Sequence, residues 1–134
     1  METKVVLDTN VIVDFLRNKS EIIRRIHEMR LDGVTFGTTH INVFELFHGA
    51  YKSSHTEKNL SAVKGFLKSV FLLGTTPESM EIAAKMLAEL ERKGLPIEMR
   101  DILIASICLV SSFAIMTKNV SHFERIPGLE IIKL

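Results

Sequence analysis

The chain of 134 residues contains no tryptophan, one tyrosine and one cysteine. The single cysteine, Cys108, cannot form an intrachain disulfide, which excludes a small disulfide-stabilised fold and favours a reducing compartment. Only 3 prolines and 7 glycines are present, too few for a collagen-like or loop-dominated chain. The glycines are also scattered, so no glycine-rich phosphate-binding loop is expected.

The sequence also lacks a large excess of positive or negative charge. The 17 lysines and arginines stand against 16 aspartates and glutamates, and the net charge is +1. This balance excludes a general polycation that coats nucleic acid, but not an enzyme whose charges are segregated. The uncharged run at residues 102–117 is short for a membrane span, and too few apolar residues precede Asp8 for a signal core. We expect no membrane segment, no export signal and a cytoplasmic location.

Hydrophobic residues make up 46% of the chain and charged residues 25%, as in an ordinary globular protein of one domain, here residues 1–134. Short apolar runs alternate with segments of helical periodicity. The runs predict five strands, at residues 5–7, 34–38, 70–73, 113–116 and 129–134. Strands that alternate with helices predict an α/β fold with a parallel sheet covered by helices on both faces.

Three acidic residues stand near the carboxyl ends of these strands, where open α/β sheets bind ligands. Asp8 ends the first strand, Glu45 lies in the first turns of the helix after the second, and Asp101 begins the helix before the fourth. All three have apolar neighbours, whereas surface acids usually have polar ones. The structural alternative is that Asp8 and Asp101 cap helices and that Glu45 lies on a solvated helix face.

Three acids that converge on one crevice repel each other unless a cation is present. A set of carboxylate oxygens suits Mg²⁺ or Mn²⁺ better than zinc. The histidines and Cys108 lack the paired spacing of a zinc site. The sequence therefore indicates a divalent-cation site formed by the three acids.

Four segments carry a resemblance to a known family. They are VVLDTNVI at residues 5–12, ELFHG at 45–49, DILIA at 101–105, and TKNVSHF at 117–123 with IPGL at 126–129. In this order, and over nearly the whole chain, they resemble the PIN domain and in particular the VapC-type toxin ribonucleases. The resemblance implies a three-layer α/β/α fold with a central parallel sheet of about five strands flanked by helices.

The activity implied by the resemblance is that of a metal-dependent endoribonuclease, which hydrolyses RNA phosphodiester bonds with a metal-activated water. On this analogy Asp8, Glu45 and Asp101 are catalytic residues that bind Mg²⁺ or Mn²⁺. Asn119 occupies a fourth catalytic position, which is often Asp in the family. Because Asn119 lacks that charge, we expect one tightly held ion. The resemblance also implies the toxin role in a type II toxin–antitoxin system, with RNA as substrate, a cognate antitoxin and a homodimer.

Neighbouring residues have weaker assignments. Thr9 and Thr117 are expected to orient the carboxylates by hydrogen bonds, and Asn42 stands where relatives often carry Ser or Thr. Arg100 is adjacent to Asp101 and Lys118 to Asn119. Both are predicted to contact RNA phosphates, although basic residues of this kind more often belong to solvated helix faces. His122 and Cys108 are interpreted as structural.

Three other functions share part of this sequence pattern. A haloacid-dehalogenase-like phosphatase needs a second acid two residues after the first, and that position is Asn10. A catalytically silent PIN-like module that binds RNA or protein would keep the fold without the chemistry, but the three intact acids disfavour it. A housekeeping RNA-processing nuclease would keep the chemistry without the toxin role.

Overall fold

The computed structural model describes residues 3–134. Its five strands are β1 (Lys4–Leu7), β2 (Thr35–Thr39), β3 (Phe71–Leu73), β4 (Ala114–Met116) and β5 (Ile131–Ile132). They form one sheet in the order β3-β2-β1-β4-β5, and every neighbouring pair is parallel. The predicted parallel sheet of five strands is confirmed.

The helices cover both faces of this sheet. They are α1 (Thr9–Leu16), α2 (Ser20–Leu31), α3 (His40–Lys52), α4 (Thr56–Leu67), α5 (Pro77–Arg92), α6 (Met99–Ser111) and α7 (Val120–Phe123). Successive strand residues point to opposite faces: Val5 and Leu7 pack in a cluster with α1 to α4, whereas Val6 packs with α5, α6 and α7. The result is the three-layer α/β/α arrangement.

Helix starts follow local capping chemistry where the sequence offers it. Thr76 caps α5 by accepting a 3.0 Å hydrogen bond from the Ser79 N–H, and Pro77 is the first helical residue. The prediction that Asp101 begins α6 is wrong. The helix starts two residues earlier because the Glu98 carbonyl accepts the N–H groups of both Asp101 and Ile102 at 3.1 Å. Asp101 thus lies within the first turn and does not cap the helix.

The end of the chain differs from the prediction in two ways. The predicted strand at 129–134 shrinks to Ile131–Ile132, because only Ile115 and Met116 of the short strand β4 pair with it. The four-residue helix α7 was not predicted, since so short a segment carries little periodicity. It places Phe123, which is fully buried, against the α6 side of the sheet.

The uncharged run at 102–117 contains most of α6 and the whole of β4, which lies within the strand predicted at 113–116. Ser112 ends α6 in the left-handed conformation, with a φ of 59°. Cys108 is fully buried in α6, and this burial, with the nearby charge of Asp8, raises the pKa of its thiol to about 12. None of the helices in residues 3–134 combines the length and the apolar character that crossing a membrane requires.

The central position of β1 determines where a ligand can bind. From β1 the chain adds β2 and β3 on one side of the sheet, and then crosses over to add β4 and β5 on the other. Such a switch in strand order opens a crevice at the carboxyl ends of the two diverging strands. Asp8 and Thr117 directly follow β1 and β4 at this crevice, and the Asp8 N–H donates to the Met116 carbonyl at 3.0 Å.

Gly37 in β2 provides a test of the packing beside β1. A Cβ at this position would lie 3.0 Å from Phe113 Cε2 and 3.2 Å from the Phe71 carbonyl oxygen. We expect Gly37→Ala to lower the free energy of unfolding by about 1–3 kcal/mol, measured by urea denaturation. Gly65→Ala is the control, because a Cβ in this exposed part of α4 meets nothing within 4 Å. It should stabilise the fold by roughly 0.5–1 kcal/mol. Equal midpoints for the two variants would contradict this packing.

Candidate active site

The carboxylate of Asp8 is the most deeply buried charge of the site, with a side-chain exposure of 0%. One oxygen, Oδ1, accepts hydrogen bonds from the Thr9 N–H at 2.8 Å and from Asn42 Nδ2 at 3.0 Å. The other, Oδ2, accepts the Thr117 hydroxyl at 2.7 Å. These donors satisfy the carboxylate and stabilise its charge at a position with no solvent exposure. Asp8 also caps α1, so the structural alternative for this residue holds as well.

Glu45 and Asp101 approach the same place from two helices. Glu45 lies in the second turn of α3, and its Oε1 accepts the Thr9 hydroxyl at 2.6 Å. Asp101 lies in the first turn of α6 with a side-chain exposure of 3%, and its Oδ2 is 3.2 Å from Nδ1 of His122. The three acids that the sequence singled out therefore meet at the predicted edge of the sheet.

Arg100 joins the three carboxylates. Its Nη2 lies 2.6 Å from Asp8 Oδ1, its Nε 2.6 Å from Glu45 Oε2, and its Nη1 2.6 Å from Asp101 Oδ1. Partial burial by itself would lower the pKa of Arg100, but the ion pairs with Glu45 and Asp8 raise that pKa above its ordinary value. The site therefore contains a permanent cation from its own chain.

The family model of the PIN domain matches residues 5–129 of this chain. The chain belongs to the PIN domain family. It is 34% identical over 128 residues to the tRNA(fMet)-specific endonuclease VapC of Salmonella typhimurium, a match that covers 96% of each protein. The resemblance stated from the four motifs is confirmed.

Solved structures of this family have the same fold. A chain of VapBC2 from Rickettsia felis, bound to a DNA fragment from its promoter, superposes with a TM-score of 0.90 at 27% identity. The match covers 98% of this chain and 99% of that one. DNA-bound VapBC from Salmonella typhimurium gives a TM-score of 0.86 at 33% identity, with 98% of both chains covered. The predicted PIN-like three-layer fold is thereby confirmed.

The two threonines expected to orient the carboxylates contact them directly. Thr9 donates its hydroxyl to Glu45, and Thr117 donates its hydroxyl to Asp8. Asn119 reaches this network through its backbone N–H, which donates to Thr117 Oγ1 at 3.0 Å, while the residue itself is exposed. Its catalytic role stays a prediction.

Asn42 is more important to the PIN site than its sequence position indicated. It is fully buried, and its Nδ2 donates to both Asp8 Oδ1 and Thr9 Oγ1, the latter at 2.9 Å. Its Oδ1 accepts the Thr39 hydroxyl at 2.6 Å. The same Oδ1 accepts the Thr39 N–H at 3.3 Å while Thr39 Oγ1 accepts the Asn42 N–H at 3.2 Å, and this reciprocal pair forms a capping box at the start of α3. The available signal was its place three residues after Thr39, which directly follows the strand predicted at 34–38.

His122 was interpreted as structural, and the structure places it at the edge of the acidic site. Its ring nitrogen faces Asp101, and half of its side chain is exposed. His122, Glu98 and Arg125 line a cleft of about 380 Å³ that opens beside Asp101. The sequence signal for this position was that His122 directly precedes Phe123, an apolar residue that is buried in the core.

Lys118, predicted to contact RNA, pairs with an acid that the sequence analysis did not single out. Its Nζ forms an ion pair with Asp14 Oδ2, and Lys19 Nζ lies 3.4 Å from Asp14 Oδ1. Asp14 is buried and sits between two apolar residues, Val13 and Phe15, which was the missed signal. The hydrogen bond from Lys118, helped by Lys19, lowers the pKa of Asp14 against the opposing effect of burial.

The donor set of the acidic site fits a divalent cation by its chemistry. Three carboxylates and one guanidinium together carry two net negative charges. The atoms that could bind a metal are carboxylate oxygens, the ligands that Mg²⁺ and Mn²⁺ prefer. As now placed, however, no three His, Cys, Asp or Glu side chains within residues 3–134 are grouped to hold one ion. The residues therefore match the ion in type and charge, while their spacing is set by the guanidinium between them.

The ion pair at Asp14 predicts a pH-dependent contribution to stability. Because its folded-state pKa lies below the ordinary value of 3.8, the pair stabilises the fold above that value and loses its effect as the pH falls through the lowered pKa. We expect Asp14→Asn to reduce the free energy of unfolding at pH 7 by on the order of 1 kcal/mol. The gap to wild type should shrink on acidification below the ordinary value.

Urea unfolding of both proteins at a series of pH values measures this gap. Lys19→Met is the matched control, since Lys19 makes the longer and more exposed contact with Asp14 and its loss should have the smaller effect. A gap that widens on acidification would show that the charge of Asp14 is not what stabilises this contact.

Proposed function

We propose that this PIN protein is an endoribonuclease that hydrolyses RNA phosphodiester bonds with the help of a divalent cation, Mg²⁺ or Mn²⁺. We also propose that it is the toxin of a type II toxin–antitoxin pair. The observation that carries the activity is that Asp8, Glu45 and Asp101 meet at the switch point of a parallel sheet. There they surround one positive group, the guanidinium of Arg100. The VapC names of the relatives support both parts of the proposal.

The carboxylates of Asp8, Glu45 and Asp101 would hold the divalent ion. When bound, such an ion neutralises charge on the phosphate and makes a water molecule more acidic. Asn119 contributes no charge at the fourth position, which agrees with one tightly held ion. We also propose that these four residues are catalytic and that residues 1–134 form one PIN-like domain.

Hydrogen bonds within the chain would orient the carboxylates before a ligand binds. Thr117 fixes one oxygen of Asp8, and Asn42 fixes the other. Thr9 receives a hydrogen bond from Asn42 and donates its own to Glu45, so two acids on different elements are oriented by one chain of contacts. Prior orientation of this kind lowers the reorganisation needed during the reaction.

Arg100 and Lys118 are proposed to contact RNA phosphates. Arg100 lies between the three carboxylates of the site, and Lys118 directly follows Thr117, which donates to Asp8. In the free protein each is paired with acids of its own chain, and these pairs would have to exchange for phosphate when RNA binds. RNA as substrate also agrees with the cytoplasmic location expected from the sequence.

The antitoxin is proposed as a protein partner, because the similar structures from Rickettsia felis and Salmonella typhimurium are VapBC complexes. On α3 the side chains of Phe44 and Tyr51 are 70% and 67% exposed, and the Phe44 ring stacks on His48 at 6.0 Å. These side chains would contribute to a hydrophobic groove, homodimeric or for an antitoxin helix, since plain core packing does not account for their exposure. A homodimer stays a proposal.

Cleavage of purified RNA tests the activity. We expect the protein, freed of any antitoxin, to cut RNA with Mg²⁺ or Mn²⁺ and to stop in EDTA. Initiator tRNA should be among the first RNAs tested, because the Salmonella typhimurium relative is named as a tRNA(fMet)-specific endonuclease. Asp8→Asn and Asp101→Asn should each reduce the rate by roughly 100-fold or more while the fold is retained, because each removes a charged ligand.

The matched control is Asp32→Asn, which removes an exposed acid from the end of α2, away from the site. Cutting by Asp8→Asn and Asp101→Asn at the wild-type rate would refute the site assignment. A wild-type protein that binds but never cuts RNA would favour the catalytically silent module.

Expression in cells tests the toxin role separately. The wild-type protein should arrest growth, and co-expression of the product of a neighbouring gene should relieve the arrest, because a cognate antitoxin masks the acidic site. Asp101→Asn, made in equal amount, should not arrest growth. Arrest that no neighbouring gene product relieves would favour a housekeeping RNA-processing nuclease.

A further inference from the structure

The guanidinium of Arg100 occupies the space that the three carboxylates share. It makes four contacts with them, three at 2.6 Å and one, from Nη2 to Glu45 Oε1, at 2.9 Å. All three guanidinium nitrogens are used, and the side chain is only 24% exposed. Contacts of this length between ionised groups are among the strongest hydrogen bonds in proteins. Arg100 is therefore a specific occupant of the acidic site.

The carboxylate oxygens that face this shared space are the ones that a metal ion would need. The remaining oxygen of Asp8 is engaged by Thr117, and that of Asp101 faces His122. Within residues 3–134 no three acidic or other ligating side chains are grouped to hold an ion in the present arrangement. An ion that binds all three carboxylates would thus have to take the position of the guanidinium.

We infer that Arg100 is a built-in competitor of the divalent cation: the ion enters the site by displacing the guanidinium, and Arg100 thereby sets the affinity for the metal. This inference rests on the metal site of the proposed function. It adds that the same three acids alternate between two cations, one supplied by the chain and one by the solution.

The competition has two opposite consequences. Without a metal, Arg100 screens three acids that would otherwise repel each other, two of them almost fully buried, so it stabilises the metal-free fold. With a metal, the ion must first break the guanidinium contacts, which weakens its binding. Charged hydrogen bonds of this kind correspond to roughly a 10–100-fold loss of affinity.

The released side chain would remain close to the reaction. Arg100 is the second residue of α6, so its backbone stays one position from Asp101 when the guanidinium moves. A long, flexible arginine anchored there reaches the surroundings of the ion, where the sequence analysis predicted contact with an RNA phosphate. Loading of the metal and exposure of a phosphate-binding group would then be one event.

Direct measurement of metal binding tests the competition without relying on activity. Titration calorimetry and Mn²⁺ electron paramagnetic resonance give the Kd of Mn²⁺ for wild type and for Arg100→Met. The variant keeps the length of the side chain and removes its charge. We expect it to bind Mn²⁺ about 10–100-fold more tightly, to have a lower Tm than wild type in EDTA, and to gain more Tm when Mn²⁺ is added.

Arg125→Met is the matched control for charge. Arg125 lies on the same side of the molecule, but its Nη1 donates to the Pro96 carbonyl and not to the acids. Its replacement should leave the Kd for Mn²⁺ within about threefold of the wild-type value, as screened charges do. Equal tightening in both variants would overturn the inference, because it would show a general electrostatic effect.

The wild-type protein provides a test that does not depend on a variant's folding. In nuclear magnetic resonance spectra, the Nε–H signal of Arg100 should shift as Mg²⁺ is added, in parallel with the occupancy of the site. An unshifted signal with Mg²⁺ bound, or an unchanged Kd in Arg100→Met, would overturn the competition alone. Failure of wild type and Arg100→Met alike to bind either ion would instead overturn the proposed metal site and, with it, this inference.

Discussion

The buried charge of Asp8 is the constraint around which this end of the molecule is organised. A carboxylate with no solvent contact is tolerated only when hydrogen bonds and an opposite charge replace its water. Here they come from Thr9, Asn42, Thr117 and Arg100, which belong to α1, α3, the end of β4 and α6. One charge therefore links the two helical layers to the central strand, and displacement of any of these elements would remove one of its partners.

The topology of the sheet explains why this charge can be both buried and useful. β1 lies between β2 and β4, so its body is covered on both faces and at both edges. Only its carboxyl end opens onto the crevice where the strand order switches. The acids from α3 and α6 reach the same crevice because both helices begin near this edge of the sheet. An acidic site with restricted access to water follows from the order of the strands.

The near-neutral composition has a local counterpart in this site. The net charge of +1 reflects acids and bases that are paired in specific places. Arg100 is paired with three acids of the crevice, and Lys118 with the buried Asp14. Such pairing limits nonspecific attraction to RNA, because the cations near the site are already engaged in the free protein.

The predicted parts of the site have a local sequence pattern, whereas the unpredicted parts depend on contacts with distant residues. Asp8, Glu45 and Asp101 could be found because an acid in an apolar segment, near the end of a predicted strand, is a local pattern. Asn42 and Asp14 carried weaker versions of the same pattern, and their partners lie far away in the chain. The start of α6 was misplaced because a backbone carbonyl, and no capping side chain, begins the helix.

Alternating apolar runs and helical periodicity were sufficient to determine an α/β fold with a parallel sheet, since burial of strand and helix faces is encoded residue by residue. The four motifs were sufficient to indicate the family. Only the tertiary structure decided that Arg100 points inward to the three carboxylates instead of outward to solvent or RNA. The reason is that a long charged side chain adopts the orientation in which its charge is paired. The three acids that pair with Arg100 come together only when distant parts of the chain have folded.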